Sequence, residues 1–334
     1  MRDVIRSLSV ESGRNLFQRA ILHSGSALAT WSIATDTLRY TKHLAARLNC
    51  SDFWDESSSV RFLQCLKLLP VDDLINVDAV GATAAPVGVD GGGGGYVDSS
   101  PYLGSPPRYL TAVGPTIDHR SVLPSVVRDL MTKYSESVFA TTQLLLGVTR
   151  NEGVVYLTQR ELEQGVAGDR MRRTVRTYVQ NVFDYHRQSI FDVLLHQYSD
   201  WERPASTAGG GLGGGGRSDP TAARDALTEL LGDGQTVAPM VELAQFHARI
   251  GGAVTYFYAF NQPPRLDAYP RWAGGVHGDD LAYVFGAPLT DGTDPFPATY
   301  TRSDRTLAET TMRYWTNFIR TGCVCSFPVW RGSY

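Results

Sequence analysis

Apolar residues recur along this chain in short runs, and between the runs the spacing changes to a helical one. Ala20-Ile21-Leu22-His23, the stretch from Thr141 to Val148, and Thr255-Tyr256-Phe257-Tyr258-Ala259-Phe260 each predict a strand. A first helix is predicted over Thr37 to Leu48, ending near Asn49. A clearer one runs from about Thr306 to Thr321, where Leu307, Thr311, Tyr314, Trp315, Phe318 and Ile319 recur at helical spacing and Gly322 follows as a stop. Strands alternating with helices signal an α/β layer architecture, with the last helix laying one face on the sheet.

Two stretches have no apolar period. The glycine runs Gly91 to Gly95 and Gly209 to Gly216, flanked by Ser, Thr, Ala and Asp, predict flexible surface insertions near 90–105 and 205–218 in a single unit spanning 1–334. Neither has the Lys-Ser/Thr and helix start of a phosphate cradle.

Composition narrows the class. With 43% hydrophobic and 19% charged residues and no extended apolar run, the chain reads as soluble, globular and long enough to bury a core. A net charge of −3, with Lys and Arg scattered, leaves no electrostatic footprint for nucleic acid or an anionic membrane. No stretch approaches the roughly 18 apolar residues of a membrane span, and Met1 to Phe17 lacks the apolar core of a signal peptide. No motif implies a metal or a cofactor.

The four cysteines fall into two pairs. Cys50 and Cys65 flank a polar stretch between helix-like segments, which suits either a short-loop disulfide, worth roughly 3 kcal/mol on the loop-entropy view, or two buried free thiols. Asn49-Cys50-Ser51 is formally an N-glycosylation acceptor, weakened by the cysteine in its middle. Cys323 and Cys325, one residue apart, are too close to bridge without strain, and spacing assigns them nothing.

Candidate chemistry lies in Gly147-Val148-Thr149-Arg150-Asn151-Glu152-Gly153 and in the run from His277 to Gly286. Glu152 and His277 each follow a predicted strand, in the loop region where open α/β sheets build their sites. A carboxylate there can orient an imidazole, which in a triad takes the proton of a serine. On spacing alone, a lone Asn-Glu-Gly is more often a turn than a catalytic acid, and a single His after a Gly-Gly pair is usually a loop residue. The serine elbow G-x-S-x-G occurs nowhere in the 334 residues; its nearest approach, Gly216-Arg217-Ser218-Asp219-Pro220, lies in a glycine-rich loop.

From about Ser7 to Gly322 the chain resembles the type-B carboxylesterase and cholinesterase family. The resemblance rests on Leu16-Phe17-Gln18-Arg19-Ala20-Ile21-Leu22-His23-Ser24-Gly25-Ser26, Gly114-Pro115-Thr116-Ile117-Asp118, Gly147 to Gly153, His277 to Gly286, and Trp315-Thr316-Asn317-Phe318. It implies an α/β-hydrolase fold, with Glu152 at the position of the triad acid, His277 at that of the base, and Ser24 as a hydroxyl supporting the acid. It also implies a Cys50–Cys65 disulfide. In the family the serine elbow, the oxyanion-hole glycines and the leading strands precede the segment that begins here at Leu16. The resemblance therefore implies an incomplete domain with an unpaired sheet edge, and an isolated chain expected to aggregate or stay molten.

Within the family, His196-Gln197-Tyr198-Ser199-Asp200-Trp201, the alanine of Val237-Ala238-Pro239, and the stretches from Arg271 to Gly286 and Asp291 to Tyr300 resemble the adhesion branch, which includes the neuroligins and gliotactin. Two expectations follow. One is a non-catalytic ectodomain, anchored by a transmembrane helix when full length, displayed outside the cell and binding an extracellular or membrane protein that is neurexin-like or junctional. Glu152 and His277 would then be vestigial, and the full-length protein could form a homodimer. The other is a carboxylic ester hydrolase whose nucleophile lies outside this sequence.

Overall fold

The structure, a computed structural model, describes residues 17–35, 37–50, 60–71, 109–111, 114–117, 119, 123, 125–133, 138–198, 219–263, 269–290, 295–296 and 298–325. Both glycine-rich insertions lie outside the described residues, as does the Ser199-Asp200-Trp201 end of the adhesion-like segment. The chain divides into two compact units, one gathering 1–28, 127–155 and 231–334, the other 29–126 and 156–230.

The first unit is built on a three-stranded parallel sheet in the order β1 (Arg19–His23), β2 (Gln143–Thr149), β3 (Thr255–Phe260). β2 is buried from Leu144 to Thr149, as a parallel strand covered on both faces should be, and its near-continuous apolar run is the sequence expression of that burial. It starts two residues later than the apolar run predicted. Thr141 closes a short helix, Val138–Thr141, and the carbonyls of Phe139 and Thr142 turn to the ring of His247 instead of joining the ladder.

Register explains one substitution-intolerant point in the sheet. His23, Gly147 and Tyr258 are paired across the three strands, so their side chains leave the same face in one row. Glycine in the middle leaves room for the Tyr258 ring to lie over β2; a Cβ at Gly147 would fall inside that ring.

The long helix Arg302–Thr321 starts four residues before the predicted position. Its start is a capping box that the apolar spacing did not reveal: Asp304 N–H donates to Thr301 Oγ1 at 3.3 Å, and Thr301 N–H donates to Asp304 Oδ2 at 2.7 Å. Asp304 is fully buried, because its other oxygen accepts from Tyr283 Oη and Gln262 Nε2 at 2.8 and 2.9 Å. Gly322 stops the helix in the left-handed region at φ 77°. Ala308 packs with Phe260, Ala282, Tyr283 and Ala287 in one apolar cluster, which ties this helix and the short helix Asp279–Val284 to the end of β3.

Beyond the long helix, Cys323 and Cys325, to which spacing assigned nothing, are joined in a disulfide. The chain turn after Gly322 brings their Cα atoms to 5.3 Å, inside the ordinary range for a bridge.

In the second unit the predicted first helix spans Thr37–Arg47, and the chain leaves it through Asn49 at φ 54°. Cys50 is bonded to Cys65 on the helix Val60–Leu68, and with Ala45 and Phe62 it forms a buried cluster. Elsewhere in this unit the helices Gly168–Val182 and Arg187–Gln197 pack together, and Arg172 and Arg176 lie over the ring of Phe191 at 5.6 and 4.6 Å. Among the described residues no helix is long and apolar enough to cross a membrane.

Candidate functional site

Pairing that continues past the strand ends gathers the site at the carboxyl end of the sheet. Beyond β1, Ser24 N–H donates to Gly147 O at 2.8 Å, and Ser24 turns into the left-handed region at φ 49°. Beyond β2 and β3, Arg150 N–H donates to Phe260 O and Asn151 N–H to Gly275 O, at 2.8 and 2.9 Å, so the Glu152 turn and the His277 loop run side by side. Gly275 permits that approach, since a Cβ there would meet the Phe260 carbonyl at 2.8 Å.

Glu152 opens the short 3-10 turn Glu152–Tyr156, and its side chain is fully buried. Three donors hold the carboxylate. Ser24 Oγ donates to Oε1 at 2.6 Å, Thr149 N–H to Oε1 at 2.5 Å, and His277 Nδ1 lies 2.6 Å from Oε2. The three sequence candidates Ser24, Glu152 and His277 are thus one chain of hydrogen bonds. A buried carboxylate requires such partners, and short charge-assisted bonds are the strong ones.

His277 differs from Glu152 in exposure, since 45% of its side chain is open to solvent. The bond to Glu152 raises its pKa above the usual imidazole value, burial opposes the rise, and the charges of Glu152 and Asp280 add to it. With Nδ1–H committed to Glu152, Nε2 has no hydrogen-bond partner among the described residues. An imidazole held in this way presents Nε2 as an oriented base.

A second cluster lies alongside, and the sequence reading passed over it. Asp280 Oδ2 takes Tyr258 Oη–H at 2.7 Å and lies 2.7 Å from His23 Nδ1, while Trp315 Nε1–H donates to His23 Nε2 at 3.3 Å. The Trp315 bond requires a lone pair on His23 Nε2, which puts the His23 proton on Nδ1, facing Asp280. Burial pushes the Asp280 carboxyl upward, yet the bonds from His23 and Tyr258 outweigh it and hold the group below its ordinary range. Burial, and then the Asp280 charge, raise the Tyr258 hydroxyl. Asp280 is 2% exposed, and its Oδ1 has no hydrogen-bond partner among the described residues; the same holds for Thr149 Oγ1. The sequence held only a fragment of the signal, Asp280 within the run from His277 to Gly286; its meeting with His23 and Tyr258 depends on register across the three strands.

A cavity of about 300 Å³ opens beside His277, walled by Tyr269, Asp279, Tyr283, Phe296 and Tyr300. Burial pushes Asp279 up to about 6; a bond from Val276 N–H at 2.9 Å opposes the rise, and the Asp280 charge supports it. Among the described residues no group of three or more His, Cys, Asp or Glu side chains could hold a metal ion. Asn49 is exposed at the end of its helix, while Ser51 of its acceptor triplet lies outside the described residues.

A family profile described as the Carboxylesterase family matches residues 4–328. Among individual proteins, the chain is similar to Neuroligin-2 of Homo sapiens, 31% identical over 310 residues that cover 92% of this chain and 32% of that protein. Neuroligin-3 of Mus musculus matches to the same extent. Neuroligin-1 of Caenorhabditis elegans is 25% identical over 327 residues, 93% of this chain and 36% of that protein. The chain therefore spans about a third of the length of the curated relatives it matches.

Proposed function

The chain belongs to the carboxylesterase family, whose fold is the α/β-hydrolase fold, and from that premise we propose that it is part of a non-catalytic, cholinesterase-like ectodomain that works in cell adhesion by binding another protein. The observation that carries the reading is the likeness to neuroligins over 92% of the chain. In this reading residues 1–334 belong to one carboxylesterase type-B domain, of which they supply the acid- and base-bearing portion. The whole protein sits on the outer side of the plasma membrane, anchored by a single span. Its partner is an extracellular or membrane protein of neurexin-like or junctional type, and the protein forms homodimers.

Glu152 and His277 then serve as structure. A carboxylate buried under three donors stays because its loss would leave Ser24, Thr149 and His277 without their acceptor. The test is partner binding on cells by the full-length protein carrying His277→Ala. Binding within about twofold of the unaltered protein is expected, a change of under about 0.4 kcal/mol. Loss of binding by a variant that reaches the surface normally would overturn the vestigial role.

A second reading, a carboxylic ester hydrolase, is favoured by one observation: His277 Nε2 is oriented and open to solvent beside a cavity. That reading requires ester turnover by the full-length protein that depends on His277.

A further inference from the structure

We propose that Cys323–Cys325 is a thiol-exchange site, at which a small cysteine-type thiol such as glutathione opens the disulfide and forms a mixed disulfide with Cys325. The site goes beyond the adhesion reading and does not depend on it. The two disulfides of the chain differ at one sulfur and in loop size: each has one half-buried cysteine, Cys65 and Cys323, but the partner is buried in one and exposed in the other. Cys50 is fully buried in its cluster with Ala45 and Phe62, and its bridge closes a sequence separation of 15. Cys325 is exposed and Cys323 half-buried, and their bridge closes a separation of only 2. A ring that small removes little freedom from the unfolded chain, so the bridge does little for stability, and an incoming thiolate can reach it.

The surroundings present the sulfurs on a fixed support. Gly322 N–H donates to Phe318 O at 2.8 Å, Cys323 N–H to Thr321 Oγ1 at 3.2 Å, and Asn317 Nδ2 to Cys325 O at 2.5 Å, so the three-residue ring is clamped to the end of the helix Arg302–Thr321. Cys325 N–H also donates to Cys323 Sγ at 3.2 Å. That contact sets the direction of exchange. The attacking thiolate bonds to Sγ of Cys325, the more exposed residue of the two, the Cys323–Cys325 S–S bond breaks, and its electron pair goes to Cys323 Sγ, where the Cys325 N–H stabilises the new thiolate. A second thiolate then attacks the mixed disulfide. It leaves as oxidised glutathione, with both cysteines reduced and two glutathione molecules oxidised.

The experiment uses the full-length protein, purified with free thiols blocked by a first alkylating tag, then exposed to graded reduced glutathione and labelled with a second tag for peptide mass spectrometry. Cys323 and Cys325 should take the second tag at a glutathione concentration at least tenfold below that needed for Cys50 and Cys65. In a Cys323→Ser variant, oxidised glutathione should modify Cys325 faster than it modifies Cys323 in the Cys325→Ser variant. Equal sensitivity of the two pairs, first-tag labelling of Cys323 and Cys325 as free thiols, or reversed order of the single variants would each overturn the proposal.

Discussion

A histidine closes each end of the parallel sheet, and the two are held in opposite ways. At the amino end, His247 is 1% exposed; its Nε2 faces the carbonyls of Phe139 and Thr142 at 3.0 and 2.9 Å, and its Nδ1 lies 2.6 Å from Thr255 Oγ1. Burial lowers its pKa, and the two carbonyls only partly oppose this. At the carboxyl end, His277 leans on a buried carboxylate, its pKa is raised, and nearly half of its side chain meets solvent. The first arrangement ties β2 to β3 with every polar atom of the ring engaged. The second leaves one nitrogen open and two nearby buried oxygens, Asp280 Oδ1 and Thr149 Oγ1, without partners among the described residues. Unspent polar capacity collects at the end where α/β sheets keep their sites, and fully satisfied polar contacts collect at the other.

Substitutions can break that contrast. Glu152→Ala should have the largest effect, about 4 kcal/mol of lost stability, because it strands three donors in a buried place. Chemical denaturation measures it, and a loss under about 1 kcal/mol would mean the carboxylate is not the hub described. His247→Ala should cost about 3 kcal/mol through a cavity and orphaned carbonyls at the amino end. Gly147→Ala should cost about 2 kcal/mol by driving the Tyr258 ring off β2, and it should weaken the bonds of Tyr258 Oη to Asp280 and His23. His277→Ala should cost only about 1 kcal/mol, since water can enter the vacated, half-open space and bond Glu152.

The pH response sharpens the contrast with smaller effects. His277, raised in the folded state, contributes stability below the unfolded pKa of about 6.5 and loses it as pH climbs through its folded value. His247, lowered in the folded state, works the other way. The unfolded chain takes up its proton first as pH falls below about 6.5, so stability declines there. Proton-detected titration should find His277 titrating above that value and His247 below it. The reverse order would refute the assignment.

Much of the frame was legible because parallel strands and an amphipathic helix write their burial into spacing. β3 and the end of the long helix fall where the pattern puts them, the helix because Gly322 is a clear stop. Boundaries moved where a polar group took over: His247 claims the carbonyl of Thr142, and the Thr301–Asp304 box starts the helix ahead of its apolar stripe. Ser24, Glu152 and His277 were found through motif resemblance, and the structure brings the three together. His23, Asp280, Tyr258 and Trp315 went unread because their meeting depends on register across three strands, with Gly147 between His23 and Tyr258. Spacing within one segment carries no such information. The Cys323–Cys325 bridge was missed for a related reason, since it depends on the turn beyond Gly322.

We propose that the Glu152–His277 pair holds the carboxyl end of the sheet together and does not turn over an ester. The most direct measurement is hydrolysis of a short acyl ester by the full-length protein, compared with its His277→Ala variant. The account predicts the same background rate for both; turnover that the substitution reduces by a hundredfold or more, the scale of a lost general base, would contradict it.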